Sequence, residues 1–300
     1  RLARSGTALA MAAADPIVGL STWLQSPAGR CLLAWEQSRL DQLVADAFGF
    51  HALQLGLPGL EALRANRMPH RWVAADRALD ADELMPLEVP QPEPGISTQS
   101  PDSPLALLCD FDALPFASHS IDLLVLPHTL ELARDPHLTL REVERVLVAE
   151  GRLVITGFNP ASLWGLRQRL GHLRRSVGLS RQRPLFLPAA GDFIGYWRLR
   201  DWLRLLGFEI ESGRFGVYGP PVHSAAWLQR MAWMDRVGDR WWPVLGAVYS
   251  LVAVKRVRGM RLVGMARRER RRAAAAPAVV NRELGPMRAT PSPGEKAWPR

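Results

Sequence analysis

The order of short apolar runs between Leu105 and Phe158 constrains this chain more than any other feature. "LALLCD" gives way to a polar turn, then to "IDLLVLP", then to "PHLTLREVERVLVAEG" and finally to "GRLVITGF". Strand-length runs that alternate with helical patterns imply a parallel sheet covered by helices, because each parallel crossover has to travel back over a face of the sheet. The helical stretch is well marked. Leu138, Val143, Val146 and Leu147 recur on one face, and Gly151 predicts its end.

The flanks extend the alternation. Apolar positions at three- and four-residue intervals (Leu32, Leu33, Leu40, Leu43, Val44, Ala47) predict a helix from about Trp23 to Phe48. "FHALQLGLPGL" predicts a strand ending at Gly56 and a turn at Pro58–Gly59, "LEALRAN" a short helix and "RWVAAD" a second strand. Downstream, "RLRDWLRLLGFEIESGRFGVYG" predicts a helix and strand, "WLQRMAWMDRVGDRWWP" an aromatic helix, and "AVYSLVAVKRV" a last strand. Residues 1–20 read as a flexible leader, 21–257 as one domain and 258–300 as a basic tail with the composition of disorder. Within the domain, a Pro-rich polar insert occupies about 85–104.

Charge follows the same division. The net charge is +9, yet residues 255–300 hold 13 Lys or Arg against 3 acids, which leaves the preceding part at −1. The high isoelectric point therefore describes the tail, whose block charge suits weak contact with anions or nucleic acid. The two cysteines, Cys31 and Cys109, form neither a disulfide framework nor a metal-ligand spacing, and the histidines do not cluster. These features predict no metal site and a reducing, cytoplasmic setting. No apolar run reaches the roughly 20 residues a membrane-spanning helix needs.

The segment "CDFDALPFASHSIDLLVLPHTLELARDP" followed by "REVERVLVAEGRLVITGFNP" resembles the class I S-adenosylmethionine-dependent methyltransferases, in particular the type 11-like group. That group has a strand ending in Asp, then "LPF", a polar turn, a strand, and "LEH-x-x-DP". Here Ile121 replaces an aromatic residue and Leu132 replaces the His. The resemblance implies an α/β, Rossmann-like fold with a seven-stranded, mostly parallel sheet, helices on both faces, and a strand near Ala247–Val254 antiparallel to its neighbours. It also implies S-adenosyl-L-methionine as cofactor.

In such a sheet ligands sit outside the carboxyl ends of the strands, where strand order reverses. On that basis Gln54, Gly56, Leu57, Asp76, Asp110, Phe111, Leu126 and Pro127 are the candidate cofactor contacts. Asp76 would accept from the ribose hydroxyls. Asp110 would accept from the adenine amino group with Phe111 beside the base, the other reading of Asp110 being a turn or cap acid. The first glycine motif departs from the family: in "LQLGLPGL", Gln54 stands where an acid is usual and Pro58 where a Gly is usual. Gln54 would then meet the ligand ammonium through its carbonyl oxygen.

His128 directly follows a strand, which makes it either a general base facing the transferable methyl or a rim His bonded to backbone. The segment at about 164–184 carries Arg167, Arg169, Arg174, Arg175, Arg181 and Arg183 without an acid. It would hold an anionic acceptor or form a solvated face. Trp164, Trp197, Trp202, Trp227, Trp233, Trp241 and Trp242 are expected mostly in core and lid packing. Two functions remain: methyl transfer to a small or anionic acceptor, or a methyltransferase-like binding module that has lost catalysis.

Overall fold

The computed structural model describes residues 20, 22–76, 105–176, 185–187, 193–222 and 224–256. The expected leader up to residue 19, the Pro-rich insert, Arg181, Arg183 and the basic tail lie outside the described residues.

Seven strands form one sheet in the order β3-β2-β1-β4-β5-β7-β6. They are β1 (His51–Leu55), β2 (His70–Ala75), β3 (Leu105–Leu108), β4 (Ile121–Pro127), β5 (Leu147–Phe158), β6 (Phe208–Gly216) and β7 (Val248–Lys255). Strands β1 to β5 pair in parallel, and β7 runs antiparallel to both β5 and β6. This is the expected mostly parallel sheet with its one reversed strand.

Residue alternation along the strands feeds two cores. Ala52, Leu123, Val125, Val154 and Val252 face one side, with Leu32, Leu33, Leu40 and Val44 of helix α1 (Pro27–Ala45). Leu53, Leu55, Leu124, Leu126, Leu153 and Ile155 face the other, which also holds the buried apolar residues of two further helices. Helix α2 (Thr129–Leu132) is a single turn after β4; α3 (Pro136–Val146) contributes Leu140, Val143 and Val146 to that second core. Helix α4 (Leu163–Ser176) follows β5, and α5 (Tyr196–Leu205) adds Leu199 and Leu203 to the second core. Continuous apolar strands buried on both faces are the pattern of a helix-covered parallel sheet.

Four local expectations need correction. "LEALRAN" is not a helix: Ala62–Ala65 are turns, and no helix lies between β1 and β2. The backbone there is held by side chains instead, with Gln37 Nε2 donating to Glu61 O (3.0 Å), while Asn66 Nδ2 ties the segment's end to Val44 O (2.8 Å) and Ala47 O (3.2 Å) at the end of α1. Helix α3 stops at Val146, and Leu147 already belongs to β5; Glu150, at φ 63°, kinks the strand just before Gly151. Leu138 is exposed, and Leu140 packs in its place. The aromatic segment splits into α6 (Ala225–Arg230) and α7 (Trp233–Trp241), and most of its tryptophans face solvent.

Candidate functional site

Strand β1 pairs with β2 on one side and β4 on the other, so the strand order reverses beside it. The crevice outside the carboxyl ends of these strands is where an open α/β sheet binds its ligand. Gly56, Leu57, Leu126, Pro127 and His128 all lie at the ends of β1 and β4, while Asp76 directly follows β2 and Asp110 follows β3.

The loop after β3 is held from below. Arg145 of α3 donates to Leu114 O and Phe116 O (both 2.9 Å), and Glu142 accepts from Leu114 N at 3.0 Å. The guanidinium of Arg145 holds the Glu142 carboxyl below its ordinary range, against the upward pull of burial. Thr139 Oγ1 adds a bond to Asp112 Oδ1 at 3.1 Å. This is the physical content of "LPF": the loop is clamped to α3 while Asp110 stays exposed and Phe111 is buried.

At the end of β1 the geometry differs from expectation. Gln54 faces the α1 side of the sheet and is fully buried. Its Nε2 donates to Gly56 O (3.2 Å), Leu57 O (3.0 Å) and Leu60 O (2.8 Å), and its Oε1 accepts from Ala62 N (3.1 Å). Gln54 therefore staples the loop that replaces the missing helix, and its carbonyl oxygen is committed to Ala62 rather than presented to a ligand. Gly56 sits at φ 78°, and a Cβ there would come within 2.9 Å of Thr129 Oγ1. The Gly56 amide is bonded to Ala74 O (2.8 Å), while Thr129 Oγ1 donates to Leu55 O.

His128 also takes a different role. It adopts φ 53° at the head of α2 and is completely enclosed. Its Nδ1 lies 2.8 Å from Glu131 Oε2, and its Nε2 lies 2.9 Å from Glu36 Oε1. The Glu36 contact is an ion pair without hydrogen-bond alignment, since neither His128 Nε2 nor the Glu36 oxygens have an aligned partner. Burial would pull the imidazole down, but Glu36 and Glu131 overcome it and push it up to about 10. The ring is fully enclosed with a carboxylate against each nitrogen, so it presents no nitrogen to an acceptor in the crevice, and the general-base expectation for His128 is corrected. Burial pushes Glu131 up, and bonds from His128 and from Phe158 N (2.5 Å) pull it back. Tyr249 stands close by, its phenol raised well above the ordinary value by burial and the Glu131 charge.

Above this cluster lies aromatic packing. Phe158 stands 4.4 Å from the His128 ring, and Trp23 meets Phe158, Trp164 and Phe186 edge-on. Trp23 Nε1 donates to Phe186 O at 2.6 Å. Neither Glu36 nor Glu131 was among the candidate residues. Glu36 stands between Leu32 and Leu40 at four-residue spacing, an acid on the apolar face of α1, and that is the signal that marks it. Among the described residues, no group of His, Cys, Asp and Glu could hold a metal ion.

Residues 64–155 match the family described as Methyltransferase domain. The matched segment is similar to that methyltransferase domain and lies within the seven-stranded sheet. The match begins in the stapled loop and ends in β5, so it takes in the clamped loop after β3, β4, His128 and Glu131. An uncharacterized protein of Escherichia coli (strain K12), YafS, is 28% identical over 242 residues, covering 80% of this chain and 82% of its own. A Thermotoga maritima S-adenosylmethionine-dependent methyltransferase, a possible histamine N-methyltransferase, is 14% identical with a TM-score of 0.46, covering 75% of this chain and 92% of that one. A Mesorhizobium loti S-adenosylmethionine-dependent methyltransferase is 17% identical with a TM-score of 0.46, covering 73% and 97%. Among the described residues, no helix is long and apolar enough to cross a membrane.

Proposed function

We propose that the chain transfers a methyl group from S-adenosyl-L-methionine to a small or anionic acceptor. The observation that carries this reading is the family segment folded onto the switch point between β1 and β4, with carboxylates at the ends of β2 and β3. The nucleoside half of the cofactor fits the residues present. Asp76 would accept from the ribose hydroxyls and Asp110 from the adenine amino group, with Phe111 against the base. Bound S-adenosylmethionine would supply a methyl already activated by its positive sulfur. What remains for the protein is to align the acceptor and exclude water.

The amino-acid half is met differently from the family pattern. Gln54 shapes the loop and does not bind the ligand ammonium. Beneath the rim two acidic side chains, Glu36 and Glu131, flank the single imidazole of His128, a composition that suits a cationic ligand. His128 is hydrogen-bonded to Glu131 and faces Glu36 across an unaligned contact. Calorimetric titration with S-adenosylmethionine and S-adenosylhomocysteine tests the reading, and micromolar binding of either is the expected result. The stapled β1 loop favours a second reading, a methyltransferase-like binding module without catalysis; absence of binding at millimolar ligand would put that reading first.

A further inference from the structure

Helix α4 leaves the sheet with one face covered and one bare. Leu163, Leu166, Leu170 and Leu173 recur at three- and four-residue intervals, which puts them on a single stripe, and each is 44–60% exposed. The opposite face is anchored. Trp164 is buried and donates from Nε1 to Gly219 O at 2.8 Å; Gln168 exchanges two hydrogen bonds with the Leu187 backbone, at 3.0 and 3.3 Å. These anchors fix the helix's rotation, so the leucines cannot turn inward. The exposed Arg167, Arg169 and Arg174 flank the stripe, and the helix contains no acid.

A second region has the same character. Arg167 donates to Pro221 O, which ties α4 to the segment leading into α6 and α7. There Trp227, Trp233, Trp241 and Trp242 are 52–71% exposed, in company with the exposed Arg240. On α7, Trp233, Val237, Arg240 and Trp241 share one face. Asp235, which accepts from Tyr218 N at 2.7 Å, and the exposed Asp239 lie on another. Indoles, leucines and guanidiniums on faces that carry no acid form the combination that seeks a lipid–water interface. Apolar side chains enter the acyl boundary, indoles sit at headgroup depth, and guanidiniums pair with phosphates. At 14 residues α4 is about 21 Å long, suited to lie in the interface but too short to span the bilayer.

We propose that this face docks on an anionic lipid surface, with α4 lying in the interfacial plane, its leucines among the acyl chains and its arginines on the headgroup phosphates. Because α4 follows β5 directly, docking brings the carboxyl rim of the sheet towards the lipid.

The test is sedimentation of the full chain with vesicles of equal parts phosphatidylcholine and phosphatidylglycerol, alongside phosphatidylcholine alone. Binding to the mixed vesicles, a blue shift of tryptophan fluorescence and release by high salt are expected. The triple variant Leu166→Gln, Leu170→Gln, Leu173→Gln alters exposed positions only, so its melting temperature should hold while binding falls ~10-fold or more. Arg169→Glu with Arg174→Glu should abolish the preference for anionic vesicles. The proposal is overturned if the wild type stays in solution with both vesicles. It is overturned equally if binding survives the leucine variant and is lost on removing residues 258–300, which would assign it to the tail. A concentration-dependent dimer that the leucine variant abolishes, without vesicle binding, would show that a second copy covers the stripe.

Discussion

Glu36, on the helix before the sheet, stands 2.9 Å from His128, at the end of the fourth strand, and both side chains are completely enclosed. With Glu131 on the other ring nitrogen, the imidazole is held between two carboxylates. An isolated ionised carboxylate would be very costly there, so the proton on His128 is what makes the cluster tolerable.

That proton makes the fold pH-sensitive in one direction. The folded imidazole is raised to about 10 from an ordinary value near 6.5. A raised folded value contributes stability that is whole below pH ~6.5, declines above it and is gone once pH passes about 10. The melting temperature should therefore fall between pH 7 and 10, and the His128 ring should remain protonated at pH 8 by NMR. Glu36→Gln should move the ring's titration towards neutrality. A ring that titrates near its ordinary value in the wild type would remove the ion-pair account.

The staple at Gln54 makes a second prediction. Gln54→Ala would strip Leu57 O, Leu60 O and Ala62 N of their side-chain partner and leave only the backbone bonds Leu60 N to Leu57 O and Ala62 N to Leu60 O, at a cost of about 1–3 kcal/mol. Gln54→Glu, which would look like a return to the family's acid, should do no better, because it sets a carboxylate against three carbonyl oxygens. Chemical denaturation of the two variants measures this, and full stability in Gln54→Glu would show that the loop re-forms around an acid.

Asp110 separates folding from ligand binding. Its side chain is exposed, so Asp110→Ala should melt with the wild type. If the adenine lies beside it, S-adenosylmethionine binding should weaken by about 1–3 kcal/mol. Equal affinity in a folded Asp110→Ala protein would move the purine elsewhere on the rim.

Much of the fold was legible because it repeats locally. Strand alternation reported itself residue by residue from "LALLCD" to "GRLVITGF", and the reversed strand at Val248–Lys255 followed from the family resemblance. The loop after β1 was not legible. "LEALRAN" has helical composition, but Gln54 and Gln37 offer its backbone side-chain partners at Leu60, Glu61 and Ala62, and those partners draw it into turns. The tryptophans misled for a related reason. An indole reads as core by its size, and only anchoring at Trp164 and exposure at Trp233, Trp241 and Trp242 tell the two uses apart.

The sequence by itself determined the alternation, the strand ends that bear Asp76 and Asp110, and the loop motif clamped by Glu142 and Arg145. Each of these is written in neighbouring residues, through side-chain period and turn chemistry. Only the tertiary structure decided that Gln54 faces inward, that Glu36 meets His128, and that the leucine stripe of α4 stays outside. Those outcomes depend on which faces of distant elements are pressed together, and whether a polar group is tolerable there depends on partners that chain order does not reveal.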